Sequence, residues 1–285
     1  MSRFVKYVKN CYKRLMEPSN FNTLVFLDID GTLLGIDQKP TIPDLGATIS
    51  KLQSKGVRFG LNSNRAYEDV LGIVGMFNLD GPFILENGAL FVDGPGGKIV
   101  VSEGVIQDIP KIAFEVTKQA LENMGIESTP VFSDTVELNE KDFGKNGTYV
   151  FLNKNRKYSA SIHHRIDGKS SFDFAQKLAK QMQKSFDDEG CKLIALSHNH
   201  GHTITIEIPN INKATGLAFF KTKYSNIRLV AIGDDMSEVI LRPQIDLLFA
   251  VANADLELKQ VADHTSLFEA TAGVKDILEN HLQKK

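Results

Sequence analysis

Leu24-Val25-Phe26-Leu27 runs without a polar interruption into Asp28-Ile29-Asp30-Gly31-Thr32. A strand without polar alternation has no face to offer water, so it belongs inside a parallel sheet covered on both sides. The residues that follow supply the covering helices. Pro43 to Lys55 carries Leu45, Ile49 and Leu52 at helical spacing, with Gly56 as its C-cap. Val57 to Asn62 is a second strand, Tyr67 to Phe77 a second helix, and Phe83-Ile84-Leu85 a short third strand. This β-α-β-α-β order predicts an α/β fold with a Rossmann-like parallel-sheet core.

The same grammar returns near the end of the chain. Thr215 to Tyr224, Met236 to Arg242 and Ala254 to Ala262 read as helices, and Ile227 to Ile232 and Leu247 to Val251 as strands. Between the two halves the pattern changes. Strand-like pieces at Tyr149 to Leu152, Tyr158 to Ile162, Leu193 to Leu196 and Thr203 to Ile208 accompany two long helical stretches, Ile109 to Met124 and Ser171 to Asp187. The expected organisation is a core built from residues 21–89 and 203–285, interrupted by an inserted α+β cap domain over residues 90–202. Residues 1–20 form a separate basic segment. Phe4, Val8, Tyr12 and Leu15 share one helical face there, interleaved with Arg3, Lys6, Lys9, Lys13 and Arg14. Packing on its own domain or on a partner is the favoured reading of that segment, and contact with a membrane surface the less favoured one.

Composition removes several classes. Lys plus Arg number 33 against 35 Asp plus Glu, a formal net charge of −2. That balance lacks the basic excess of a nucleic-acid binder. No apolar run of transmembrane length occurs. Two cysteines, Cys11 and Cys191, can build neither a disulfide framework nor a four-thiolate zinc site. A reduced, cytoplasmic setting is expected. Nothing in the sequence speaks for or against an oligomer.

Ligands of open α/β sheets bind beyond the carboxyl ends of the strands, and the polar residues of this chain gather there. Asp28 and Asp30 follow the first strand, and Ser63 and Asn64 the second. Asp234 and Asp235 follow Leu229-Val230-Ala231-Ile232-Gly233, and Lys213 opens the helix before it. Each feature alone is weak: Asp-x-Asp-Gly-Thr can be a turn, and a lone lysine is ordinarily a solvated surface group. Their shared edge is the signal.

Taken together, these residues resemble the signature of haloacid dehalogenase-like (HAD) phosphatases. Asp28-Ile29-Asp30-Gly31-Thr32 is similar to the family's first motif, Ser63 to the second-motif Ser/Thr, and Lys213 to the third-motif lysine. Gly233-Asp234-Asp235-Met236-Ser237-Glu238 resembles the acidic fourth motif. The large insert, Glu86-Asn87-Gly88-Ala89 and Ile208-Pro209-Asn210-Ile211-Asn212-Lys213 resemble the Cof-type branch. That branch holds sugar-phosphate phosphatases, archaeal-type phosphoglycolate phosphatases and phosphomannomutase-like transferases.

The resemblance implies a Mg²⁺-dependent phosphatase acting on a small phosphate monoester through an aspartyl-phosphate. Asp28 would be the nucleophile, Asp30 the acid/base, and Ser63, Asn64 and Lys213 the phosphate grip. Asp28, the Asp30 carbonyl, Asp234 and Glu238 would hold the metal. The residue types suit those roles. A carboxylate attacks phosphorus to give an acyl phosphate that hydrolyses readily, and oxygen donors suit Mg²⁺. A phosphomutase would use the same nucleophile, and a non-catalytic phospho-receiver would share the acids and lysine but not Asp30 or the insert.

The chain departs from the Cof pattern at Ser237-Glu238, where Asn-Asp is usual, and at Asn64, where glycine is common. Asp235 is read first as a helix N-cap. In the insert, Arg156 is the candidate contact for a substrate carboxylate or second phosphate. A metal role for His163-His164 or for His198, His200 and His202 is the weaker reading beside a structural one.

Overall fold

The computed structural model describes residues 21–133, 146–198, 203–224 and 226–282. The basic segment 1–20, and His200 and His202 of the histidine cluster, lie outside the described residues.

Two compact units form. Among the described residues the first comprises 21–64, 70–102, 212–224 and 226–282, and the second 65–69, 103–133, 146–198 and 203–211. The first unit is built on an eight-stranded sheet of order β13-β12-β11-β1-β2-β3-β4-β5. Its strands are β1 (Thr23–Leu27), β2 (Val57–Asn62), β3 (Phe83–Leu85), β4 (Leu90–Val92), β5 (Ile99–Val101), β11 (Arg228–Gly233), β12 (Leu247–Ala250) and β13 (His264–Thr265). From β13 to β3 the pairing is parallel, and β4 and β5 add an antiparallel edge. All residues of β1 and β2 are buried, as the apolar run Leu24–Leu27 in β1 demands. Fully burying one such aliphatic or aromatic side chain contributes about 1.5–3 kcal/mol.

Helices α1 (Leu45–Gln53), α2 (Tyr67–Phe77), α5 (Lys213–Lys223), α6 (Leu256–Val261) and α7 (Ala270–Asn280) accompany this sheet, α2 beginning among the residues grouped with the second unit. Residues Met236–Gln244 form a 3₁₀ helix where an ordinary helix was expected, and Pro243 lies within it. Proline removes a backbone donor and crowds the preceding turn, which disfavours a regular α-helix there. A second difference concerns the insert. Leu90–Val92 and Ile99–Val101, expected to belong to the cap, pair with the core sheet, and the units divide after Ser102 and Ile211. The physical reason is that β4 turns back antiparallel on β3 and β5 on β4, which finishes the sheet edge before the chain leaves.

The second unit carries a five-stranded sheet of order β6-β7-β8-β10-β9, formed by Val131–Ser133, Thr148–Asn153, Ala160–Ile166, Ile204–Glu207 and Ile194–Ser197 respectively. Helices α3 (Ile109–Asn123) and α4 (Phe172–Asp188) cover one face. Their Ala113, Val116, Leu178 and Met182 share a core with Val150, Leu152, Ile162 and Ile206 of the strands. The Ser171 hydroxyl caps α4 by accepting from the Phe174 N–H at 3.3 Å. His164 is buried in the same unit, where its Nε2 accepts from the Ser171 N–H at 2.9 Å. This is a structural role.

Candidate active site

In the first unit the chain runs β1, β2, β3 outward to one side and later β11, β12, β13 to the other. The order reverses between β1 and β11, and the crevice at the carboxyl ends of those strands is where such sheets bind ligands. The Asp28 N–H donates to the Ile232 carbonyl at 3.0 Å, so the ends of β1 and β11 are tied at this point.

The structure brings together side chains more than 180 residues apart. Lys213, the first residue of α5, extends its ammonium to Asp28 Oδ1 at 2.9 Å and also to Glu238 Oε1. All three side chains are buried. Asp234 completes the group: Thr32 Oγ1 donates to its Oδ1 at 2.8 Å, and the Asp255 N–H donates to its carbonyl at 2.7 Å. Gly31, with φ of 82°, permits this approach, since a Cβ there would lie 2.0 Å from Asp234 Oδ2. Asp30, next to Gly31 in the same loop, is exposed. Ser63 is buried just after β2, its N–H donating to the Ile84 carbonyl at 2.9 Å, and Asn64 beside it is half-buried.

Asp235 is the N-cap its position suggested. Its Oδ1 accepts from the Ser237 N–H at 2.7 Å, while Glu238 Oε2 accepts from the Asp235 N–H at 3.1 Å. Glu238 therefore closes a capping box and pairs with Lys213, two contacts the sequence did not reveal. Arg156, the candidate substrate contact, lies in the second unit, where its Nη1 donates to Ser159 Oγ at 2.8 Å. In that unit Asn153 and Asn155 donate to the Asp69 carboxylate at 2.7 and 2.6 Å.

Reading the sequence alone missed Thr32, Asn62, Asn253 and Asp255. Thr32 stood inside the first motif but had no partner in view. Asn253 Nδ2 donates to the Gly31 carbonyl at 2.9 Å and its Oδ1 accepts from the Ala270 N–H at 2.9 Å, bracing the loop after β1. No local pattern marks Asn253 or Asp255.

The charges do not balance. One ammonium faces the buried carboxylates of Asp28 and Glu238 and the half-buried one of Asp234. Burial first, then the neighbouring Asp28, pushes Asp234 up to about 8. Burial likewise raises Glu238 to about 7, against the pull of Lys213. Asp28 is raised by burial, which outweighs Lys213. Burial works against the Lys213 charge, but Asp28 and Glu238 overcome it and hold that pKa above the usual lysine value. A hard divalent cation with oxygen donors fits this uncompensated charge. Among the described residues no three His, Cys, Asp or Glu side chains close on one point. The three carboxylates expected as ligands, Asp28, Asp234 and Glu238, therefore do not close as a trio: Glu238 pairs with Lys213 instead, which leaves Asp28 and Asp234 with the Asp30 carbonyl and water as the donors to consider.

These shifts set a direction for stability. A carboxyl whose folded pKa is raised binds more protons folded than unfolded, so its contribution is present at low pH and lost as pH rises through the folded value. In chelator, the melting temperature should therefore fall between pH 4.5 and about 8, and Asp234→Asn should flatten the slope. Thermal melts across that window check this, and a parent curve that rises, or an unchanged slope in Asp234→Asn, contradicts it.

A mostly parallel sheet with acids and a lysine gathered at its switch point defines an α/β fold with a candidate ligand site at that edge. Comparison with known proteins agrees. Residues 25–278 match the haloacid dehalogenase-like hydrolase family, to which the chain belongs. It is 22% identical over 281 residues to the 5-amino-6-(5-phospho-D-ribitylamino)uracil phosphatase of Escherichia coli, covering 91% of this chain and 96% of that protein. It is 26% identical over 266 residues to phosphoglycolate phosphatase 1 of Saccharolobus solfataricus, again covering 91% and 96%. A haloacid dehalogenase-like hydrolase structure from Bacteroides thetaiotaomicron superposes with a TM-score of 0.66 at 15% identity, covering 90% of this chain and 98% of that one. One from B. subtilis gives 0.61 at 17%, covering 91% and 99%. Among the described residues no helix is long and apolar enough to cross a membrane.

Proposed function

We propose that the protein is a Mg²⁺-dependent phosphatase that hydrolyses a small phosphate monoester through a phosphorylated Asp28. The observation that carries this reading is the Lys213 ammonium placed 2.9 Å from Asp28 at the end of β1. It puts a cation where a phosphoryl group would meet the nucleophile. Relatives named as phosphatases of a ribityl phosphate and of phosphoglycolate support the substrate class, a sugar phosphate or a phosphoglycolate-like ester.

In the first half-reaction an Asp28 oxygen attacks phosphorus, the ester P–O bond breaks, and Asp30 gives its proton to the departing alkoxide. In the second, Asp30 takes a proton from water as that water attacks phosphorus. Phosphate leaves, and the Asp28 carboxylate is restored. Ser63 and Lys213 hold phosphoryl oxygens throughout, with Asn64 at their side, and Lys213 offsets the charge that gathers in the transition state. Bound Mg²⁺ would be held by Asp28, the Asp30 carbonyl and Asp234, with Glu238 nearby. Its contribution is to offset the repulsion between these acids and a phosphate dianion. Arg156 is retained as the candidate contact for a further anionic group of the substrate.

A panel of phosphate monoesters assayed for phosphate release, with Mg²⁺, with Ca²⁺ and in chelator, tests the proposal. Release is expected with Mg²⁺ only. Ca²⁺ takes more oxygen ligands at longer distances and should inhibit. Full activity in excess chelator overturns the metal dependence. Transfer to a sugar acceptor in place of phosphate release would favour a phosphomutase.

A further inference from the structure

Between Ser63 and Lys213 the chain builds a short piece of backbone that the chemistry above does not use. Glu86, Asn87 and Gly88 have φ of 47°, 55° and 89° in succession. Residues with a Cβ seldom adopt such values, and a run of them persists only where the surroundings impose it. Glu86 is also buried, at 2% exposure.

The surroundings are the two elements that carry the phosphate grip. On one side, the Asn87 N–H donates to the Ser63 carbonyl at 3.4 Å. On the other, Gly88 lies so close to Asn212 that a Cβ would stand 1.9 Å from its carbonyl oxygen. Asn212 is the N-cap of α5, and the next residue is Lys213. The Asn212 Oδ1 accepts from the Ala214 N–H at 2.9 Å, and the Asn212 N–H donates to Thr215 Oγ1 at 3.1 Å. A third strut runs alongside. Asn62, the last residue of β2 and the neighbour of Ser63, donates from Nδ2 to the Lys213 carbonyl at 3.2 Å. From behind, Ser102 fixes the turn, its hydroxyl donating to the Gly88 carbonyl and its N–H to the Ala89 carbonyl at 3.0 Å.

We propose that the left-handed turn 86–88 and Asn62 together form a brace that sets the separation of Ser63 from Lys213 to match a phosphoryl group. These are positioning residues and touch no substrate. The proposal rests on Ser63 and Lys213 being the phosphoryl contacts. It accounts for a strained backbone whose close contacts lead to Ser63 on one side and to the start of α5 on the other.

The probe is inorganic phosphate, measured as a competitive inhibitor of aryl phosphate hydrolysis by the Mg²⁺-loaded full chain. Gly88→Ala is compared with Gly104→Ala, because Gly104 has a similar φ of 84° but nothing within 4 Å of where its Cβ would stand. The control therefore carries the backbone penalty without the collision. Asn62→Ala removes the third strut with no backbone change, and carries the test should Gly88→Ala not fold. Misplacement of a binding group by about an ångström is worth up to about a hundredfold. Gly88→Ala and Asn62→Ala should accordingly raise the phosphate Ki and the KM together by about tenfold or more, while Gly104→Ala keeps the parent's values. A Ki within about threefold of the parent's in Asn62→Ala overturns the brace, whatever Gly88→Ala does. If the parent hydrolyses the ester but phosphate does not compete, the underlying assignment of Ser63 and Lys213 fails instead, and the proposal with it.

Discussion

Asp28→Asn should reduce turnover by about three orders of magnitude or more while leaving the fold in place. An amide has neither the nucleophilicity to form an acyl phosphate nor the charge to help hold a divalent cation. Loss of the fold is not the expected cause. Asp28 is buried and its carboxyl is raised by burial, so a neutral side chain of the same shape removes a burial cost. It also removes the charge that raises Asp234, and Lys213 keeps Glu238 as a partner. In chelator the variant should melt no lower than the parent. Mg²⁺ should then raise its melting temperature less than it raises the parent's, because one donor is gone. Phosphate release and paired melts with and without Mg²⁺ measure both halves. Activity within about tenfold of the parent would contradict the nucleophile assignment, and a collapsed melting transition would contradict the electrostatic account.

The sequence exposes some of this arrangement and hides the rest for a physical reason. Val57–Asn62, Tyr67–Phe77 and Phe83–Leu85 have the bounds their patterns predict, because period and punctuation are local properties. The acids and the lysine were legible in the same way, each sitting where a strand ends or a helix begins. Helix α7 was not foreseen. It starts after exposed Leu267 and Phe268, at Ala270 with φ of 45°, and its apolar face of Val274, Ile277 and Leu278 is short. Strands β4 and β5 are not legible in the sequence, because three-residue strands carry too little pattern, and the expected insert boundary at residue 90 falls before them. What no local reading can reach is partnership across the fold. Thr32 meets Asp234 over 202 positions, Asn62 meets Lys213 over 151, and Thr271 donates to the Leu33 carbonyl over 238. Topology makes those pairs, and they decide where the reactive groups stand.

Asp30 differs from Asp28 in a way that separates their roles by experiment. Asp28 is buried against Lys213, whereas Asp30, two residues on in the loop after β1, is exposed. An exposed carboxyl can exchange protons with a leaving group and with water, which a general acid/base must do. In Asp30→Asn the nucleophile remains, so attack should survive on substrates whose leaving group needs no proton. A nitrophenolate departs unaided, while a sugar or glycolate alkoxide does not. The phosphorylated Asp28 should then persist, because no base remains to activate water. Rapid mixing of Asp30→Asn with an activated aryl phosphate and Mg²⁺ should show a burst of about one leaving group per site followed by slow turnover, the loss in the steady state being about 10²- to 10⁴-fold. Asp28→Asn should show no burst, since no acyl phosphate can form. If neither variant gives a burst and both are equally inactive toward the aryl ester, the division of labour between the two aspartates is wrong.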